Sequence, residues 1–250
     1  MLAEIQIFEK FGIDFLLRWG HVLVGIAWIG LLYYFNFVQV PAFAELEPGT
    51  RNQTVDKLAS RALWWFRWAA AATLVFGLLL AIHQEYDGDP QLFSSDYMKT
   101  GSGLSVVVGM LLGITMFLNV WLVIWPNQKK VIANARNVLG GGEADPGAAD
   151  AGRKALLASR QNAIFSFAML MFMVGTAHFF TAYGNNEGLL DDRGIFWAIT
   201  LVLWAGLEAN CLFNRGTNLG TWIYENHKRA IGAALVLAAV WYALWEIIFG

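Results

Sequence analysis

The sequence predicts an all-α, polytopic membrane helix bundle with about six transmembrane helices, and three observations support this prediction. Hydrophobic residues make up 57% of the 250 residues, charged residues only 14%, and the mean hydropathy is +0.48. Soluble domains carry about 25% charged residues, so this composition is typical of a membrane protein. The apolar residues gather into six long segments, and the loops between these segments alternate between basic and acidic.

Each segment is long enough to cross the hydrocarbon core, which takes about 20 apolar residues in a helix. We place the spans near 14–40, 62–83, 102–125, 161–183, 194–213 and 229–249. Pro126 is expected to end the third helix, because proline cannot continue the hydrogen-bond ladder. Glycines at 140–142 and 147 predict a flexible cytoplasmic loop at about 137–153, which joins two three-helix halves of one membrane domain, residues 1–250.

The loop charges predict the orientation of the helices. The first, third and fifth loops are rich in Lys and Arg, whereas acidic residues outnumber basic ones in the second and fourth loops. Lys and Arg collect on the cytoplasmic side of membrane proteins. The odd-numbered loops are therefore expected inside, and both termini outside the cytoplasm.

The composition also excludes several classes of function. The formal net charge of −2 argues against nucleic acid as a partner. Cys211 is the single cysteine, so an intramolecular disulfide and a covalently attached c-type haem are both excluded. The first residues lack a basic start and a small-residue cleavage site, so the first span is expected to act as its own insertion signal.

Three of the four histidines lie near one face of the predicted membrane. His21, His83 and His178 belong to different segments, each in the half that faces away from the cytoplasm. Histidine within a span is costly and usually functional, and imidazole is the commonest side chain for holding haem iron or copper. We expect His21 and His178 to clamp a b-type haem, with His83 as a further candidate ligand. Alternatively, these histidines only bond neighbouring helices or the membrane interface.

The first span carries a face that suits a haem. Arg18, His21, Gly25 and Trp28 follow helical spacing and share this face. Gly25 would leave room for a flat ring. Arg18, nearer the surface, is placed to bind haem propionates by charge-assisted hydrogen bonds.

A second polar layer lies near the cytoplasmic ends of the helices. Its members are Asn36, Arg67, Asn119, Asn162, Glu208 and Asn210. Arg67 and Glu208 lie at one depth, where opposite charges are expected to neutralise each other. This layer is either a structural ion pair with amides that lock the helices, or a polar pocket or proton path that opens inward. In the second case Arg67, Glu208 and Asn119 are the candidate catalytic residues.

Four stretches resemble the membrane domain that precedes cytochrome c in bacterial membrane-bound urate oxidases of the urate hydroxylase type. They are residues 28–43 (WIGLLYYFNFVQVPAF), 61–70 (RALWWFRWAA), 119–130 (NVWLVIWPNQKK) and 159–179 (SRQNAIFSFAMLMFMVGTAHF). The resemblance implies a multi-pass protein of the bacterial inner membrane that is linked to electron transfer through c-type cytochromes. Because the sequence ends at Gly250 without a cytochrome c domain, a separate protein is expected to accept the electrons.

These observations leave three functions open. The first is an integral membrane redox protein that binds haem b on the periplasmic side and passes electrons to a separate c-type cytochrome. If this protein is an enzyme, the resemblance implies a small purine such as urate as its substrate. The second is a non-catalytic structural or accessory subunit of a larger respiratory or photosynthetic membrane complex. The third is copper or other metal binding by the outer histidines and nearby methionines, since imidazole and thioether both suit copper.

Overall fold

Six long helices form the protein in the computed structural model, which describes residues 6–184, 189–214 and 216–250. They are α1 (Lys10–Glu45), α2 (Pro48–His83), α3 (Gly101–Leu139), α4 (Ala148–His178), α5 (Arg193–Phe213) and α6 (His227–Phe249). Each helix is long and apolar enough to cross a membrane. The chain is therefore an all-α, polytopic membrane protein, which confirms the predicted fold class.

We name the two ends of the bundle by the charges that the sequence analysis assigned to them. The Lys and Arg residues of the basic end lie mostly in the helix ends beside its loops. The basic end carries the short turn between α1 and α2, the loop at 140–147, and the described residues of the loop between α5 and α6 (214 and 216–226). The acidic end carries the loop at 84–100 and the described residues of the loop between α4 and α5 (179–184 and 189–192). In the first acidic loop, β1 (Glu85–Tyr86) and β2 (Asp89–Pro90) form a small antiparallel hairpin. The two acidic loops are joined where the Leu190 N–H donates to the Lys99 carbonyl oxygen at 2.9 Å.

The first three helices extend beyond their predicted ends, and each contains a π-helical segment. These segments are Tyr34–Gln39 in α1, Val55–Ala59 in α2 and Asn119–Ile124 in α3. A π-helical turn bonds each N–H to the carbonyl five residues back and often marks a functional site in a helix.

The prediction that Pro126 ends the third helix was wrong. In α3 the Trp125 N–H reaches the Val120 carbonyl, which is one residue further back than in an α-helix. Pro126 follows at the start of the renewed α-helical segment, where a missing N–H is tolerated. The helix therefore continues to Leu139, and the loop between α3 and α4 occupies only 140–147 of the predicted range of about 137–153.

Helix α4 lies at the centre of the bundle. It packs most extensively against α3 and α6 and also contacts α5 and α1, whereas α1 packs mainly against α2. In its most apolar stretch 67% of the residues are buried, a larger share than in any other of the six helices. The helices are thus arranged as an α1–α2 pair beside a group of α3, α5 and α6 around α4.

Two glycines allow the acidic loops to lie directly on the start of α3. A Cβ atom on Gly103 would lie 1.8 Å from the Tyr97 carbonyl oxygen, and one on Gly101 would lie 2.0 Å from the Phe180 carbonyl oxygen. Both obstacles are backbone atoms, so a side chain at either position could not be accommodated by a rotamer change.

We predict that Gly103→Ala lowers the free energy of unfolding by about 2–3 kcal/mol, because the loop must move off the helix. Gly113→Ala in the same helix is the matched control, since nothing lies within 4 Å of an added Cβ atom there. The control is expected to be neutral or to stabilise by about 0.5 kcal/mol. The measurement is unfolding of the detergent-solubilised protein by dodecyl sulfate. Equal stability of the two variants would contradict this account of the loop.

Candidate functional site

His21 lies between α1 and α2 with its protonation fixed by a backbone contact. Its Nδ1 lies 2.9 Å from the Thr73 carbonyl oxygen. A carbonyl oxygen can only accept, so Nδ1 carries the proton and Nε2 of the neutral ring keeps a lone pair. The ring packs against Gly77, where an added Cβ atom would lie 2.8 Å from the His21 Cε1 atom.

His178 lies at the same level of the bundle as His21, but on a different helix. The hydroxyl groups of Tyr33 on α1 and Ser166 on α4 are 2.9 Å apart, which fixes the level of one helix against the other. His21 precedes Tyr33 by 12 residues, and His178 follows Ser166 by 12 residues. Both rings therefore lie about 18 Å from the Tyr33–Ser166 contact, in the direction of the acidic end. His178 is exposed, and among the described residues no hydrogen bond or ring contact joins it to His21.

The other two outer candidates lie closer to the acidic surface. The Nε2 atom of His83 donates to the Lys10 carbonyl oxygen at 3.2 Å. Lys10 lies about 16 Å along α1 from His21, so His83 and His21 occupy different levels of the α1–α2 pair. Arg18, one turn from His21, is half exposed and lies 3.7 Å from the Asp14 carboxylate. In the described part of the chain, no group of three or more His, Cys, Asp or Glu side chains is placed to hold a metal ion.

A hydrogen-bonded group of polar residues joins α3, α4 and α5 nearer the basic end. The Asn119 Nδ2 atom donates to the Asn162 Oδ1 atom at 3.0 Å and to the Glu208 Oε2 atom at 3.3 Å. The Asn162 Nδ2 atom in turn donates to the Met116 carbonyl oxygen at 2.9 Å. Asn119 begins the π-helical segment of α3, and both asparagines are buried.

Two residues that the sequence analysis did not single out form a separate hydrogen bond beside this group. The Tyr224 hydroxyl, from the loop between α5 and α6, donates to the Gln161 Oε1 atom at 2.6 Å. The Gln161 side chain is fully buried, and its Nε2 atom has no hydrogen-bond partner among the described residues. A buried donor without a partner is rare in folded proteins, because leaving it unpaired costs free energy. We call Asn119, Gln161, Asn162, Glu208 and Tyr224 the amide cluster.

Arg67 and Glu208 do not form the ion pair that their shared depth suggested. The Arg67 guanidinium lies over the Trp125 ring, 3.8 Å from the ring centroid, in a cation–π contact. Among the described residues it has no carboxylate partner, and Glu208 instead accepts from Asn119. The reason is lateral placement: Arg67 on α2 faces α3, whereas Glu208 approaches α3 from α5.

A cavity of about 170 Å³ lies beside the amide cluster, on its basic side. Its lining residues are Val123 and Asn127 on α3, Lys154 and Leu157 on α4, and Cys211 and Leu212 on α5. Val123, Leu157 and Cys211 each lie about one helical turn from a residue of the amide cluster on the same helix. The amide cluster is therefore about one helical turn from the cavity, and none of its residues is in the cavity lining.

An ion pair fixes the loop that supplies Tyr224. Arg153 on α4 donates to both carboxylate oxygens of Glu225, at 2.5 Å and 3.0 Å, and also to the Gly216 carbonyl oxygen. The hydrogen bonds from Arg153 hold the pKa of the Glu225 carboxyl below its usual value. Such a bidentate contact fixes both the position and the orientation of the Glu225 carboxylate.

We predict that Gly77→Ala displaces the His21 ring from the Thr73 carbonyl. The added methyl group overlaps the imidazole, and the loss of one interhelical hydrogen bond costs about 1 kcal/mol of unfolding free energy. Gly30→Ala on α1 is the control, because nothing lies within 4 Å of its added Cβ atom. Dodecyl sulfate unfolding measures both variants, and a Gly77→Ala protein as stable as the control would refute the contact.

The Arg153–Glu225 pair predicts a pH-dependent contribution to stability. Because the folded state lowers the pKa of Glu225, the contribution is full above the ordinary glutamate pKa and is lost as pH falls through the lowered value. Glu225→Gln should cost about 1 kcal/mol near neutral pH and less at about pH 3.5. Glu143→Gln, which changes an exposed loop carboxylate, is the control. A cost for Glu225→Gln that does not change with pH would contradict the pairing.

Comparison with known proteins identifies the family. The sequence model described as urate oxidase N-terminal matches residues 91–240. This range includes the whole amide cluster, the cavity and His178, whereas Arg18, His21 and Arg67 precede it. No curated protein and no solved structure gave a match. Because the matched range spans more than half of the chain, the protein belongs to the urate oxidase N-terminal family.

Proposed function

We propose that the chain is the membrane component of a urate-oxidising electron-transfer system in the bacterial inner membrane. In this proposal His21 would hold a b-type haem, which would supply one-electron transfer to a separate c-type cytochrome on the periplasmic side. Membership of the urate oxidase N-terminal family supports the substrate class. The bundle of six apolar helices supports the location in a membrane.

The contact between His21 and Thr73 is the observation that carries the haem assignment. Metal-binding histidines usually donate their second ring N–H to a carbonyl or carboxylate, which fixes the ring and makes the ligand more basic. The His21 Nδ1 atom makes such a bond at 2.9 Å and leaves Nε2 to bind iron. The ring of His21 therefore has the tautomer and the hydrogen bond that a haem ligand would need.

Two further residues have roles in this arrangement. His178 on α4 would be the second residue to hold the haem iron, since it lies at the level of His21. Arg18 lies one turn nearer the acidic end, half exposed, where it would bind the haem propionates. The bound haem would supply one-electron transfer, with a potential that depends on its two imidazole ligands and their hydrogen bonds.

The test is a reduced-minus-oxidised absorption spectrum of the detergent-purified full chain, with a pyridine haemochrome assay. Wild-type protein should contain about one b-type haem per chain, which urate added without oxygen should reduce. His21→Ala and His178→Ala should each lose most of the haem. His83→Ala is the matched control and should retain it, because His83 bonds the first turn of α1 instead.

Three results would overturn the proposal. A full haem complement in both the His21→Ala and the His178→Ala proteins would refute the ligand assignment. A folded wild-type protein without a haem spectrum that co-purifies with stoichiometric partners would instead support an accessory subunit of a larger membrane complex. Retained copper without a haem band would support the metal-binding alternative.

A further inference from the structure

We propose that the surface where α2 meets α3, near the basic end, binds the phosphate of an anionic phospholipid. The site consists of two cationic side chains, Arg67 and Lys129, at the ring of Trp125. It lies apart from the histidines and from the amide cluster. The inference depends on the location of the bundle in a membrane and not on the proposed function.

Arg67 carries a positive charge that no neighbouring carboxylate neutralises. Its guanidinium lies 3.8 Å from the Trp125 ring centroid, and its Nε and Nη1 atoms are buried without a hydrogen-bond partner among the described residues. The side chain as a whole is only partly buried, so Nη2 is the nitrogen that can reach an anion from outside the protein. A cation that is held partly out of water without a counter-charge costs free energy.

A second cation lies at the same ring. The Lys129 Nζ atom is 5.8 Å from the Trp125 ring centroid, one helical turn further along α3. The two positive charges repel each other, and within the described part of the chain neither has a carboxylate at salt-bridge distance. A phosphate that bound both side chains would supply the missing negative charge and would accept their hydrogen bonds.

The tryptophans around this pair place it at the level of lipid headgroups. Trp64, Trp65 and Trp68 on α2 are between 46% and 63% exposed. The Trp68 ring packs edge-on against Trp121 of α3, with the ring centroids 5.3 Å apart. Tryptophan collects where the headgroups meet the hydrocarbon core, and long cationic side chains there reach outward to the headgroups. The guanidinium of Arg67, which lies among these rings, is therefore within reach of a lipid phosphate.

The apolar surface beside the site favours a lipid over a free anion. Val75 on α2 and Leu118 on α3 are exposed, and both lie on the side of the tryptophans that faces the middle of the bundle. Helix α2 packs much less extensively against α3 than against α1, so this surface stays open to lipid. An acyl chain can cover it while the phosphate binds the two cations, whereas inorganic phosphate would make only the polar contacts.

Native mass spectrometry of the delipidated full chain in detergent tests the site. Wild-type protein should bind phosphatidylglycerol about fivefold more tightly than phosphatidylcholine with the same acyl chains. Arg67→Gln should reduce this preference to less than about twofold, because a cation of the site is removed. Arg229→Gln is the matched control: Arg229 also lies over a tryptophan, 4.6 Å from the Trp222 ring centroid, but it is exposed on α6. The control should keep the preference within about 1.5-fold of wild type.

A second pair of variants tests the site even if Arg67→Gln does not fold. Lys129→Gln removes the cation from the Trp125 ring, whereas Lys130→Gln removes a neighbouring charge that has no ring contact among the described residues. Both lysines are exposed, so neither change should affect folding. Lys129→Gln should lower the preference for phosphatidylglycerol about threefold, and Lys130→Gln by less than about 1.5-fold.

Any of three outcomes would contradict the site. If Arg67→Gln and Lys129→Gln both keep the full preference, the lipid binds elsewhere. Equal losses in Arg67→Gln and Arg229→Gln would show a general attraction of the basic end for anionic lipids. Displacement of phosphatidylglycerol by inorganic phosphate at equal concentration would show that a free anion is the ligand.

Discussion

The polar side chains of α4 hold the bundle together, and both candidate sites depend on them. Lipid is as apolar as the helix surfaces, so association within a membrane relies on close packing and interhelical hydrogen bonds. Ser166 bonds Tyr33 on α1, Asn162 bonds the backbone of α3, and Arg160 donates to the Tyr224 carbonyl in the loop before α6. Each bond fixes the level of one neighbour relative to α4.

The π-helical segments connect this bonding to the amide cluster. The segment of α1 carries Asn36, whose Nδ2 atom donates to the Ser159 Oγ atom at 2.8 Å, and the segment of α3 begins at Asn119. A π-helical turn contains an extra residue, which rotates the side chains that follow it, so these helices can direct polar side chains toward α4. The same turn changes the backbone hydrogen bonds, so each helix can continue past the proline that follows. The same distortion thus explains the length of α3 and the position of the cluster.

The sequence was sufficient to predict the helices and the depth of their polar residues, because composition and a rise of about 1.5 Å per residue determine both. It could not show which helices face each other. Arg67 and Glu208 illustrate this limit, since a shared depth suggested a pair that the intervening α3 prevents. Gln161 and Tyr224 were missed because their partnership requires a loop to fold back on α4, which no local pattern reveals.

The separation of the two candidate sites bears on how the proposed function would work. His178 lies 16 residues beyond Asn162 on the straight α-helix α4, or about 24 Å along the bundle. Residues so far apart, with no shared partners, should act independently of each other. Under the proposed function, haem retention would therefore depend on the histidines near the acidic end and not on the amide cluster, whose hydrogen bonds join α3, α4 and α5.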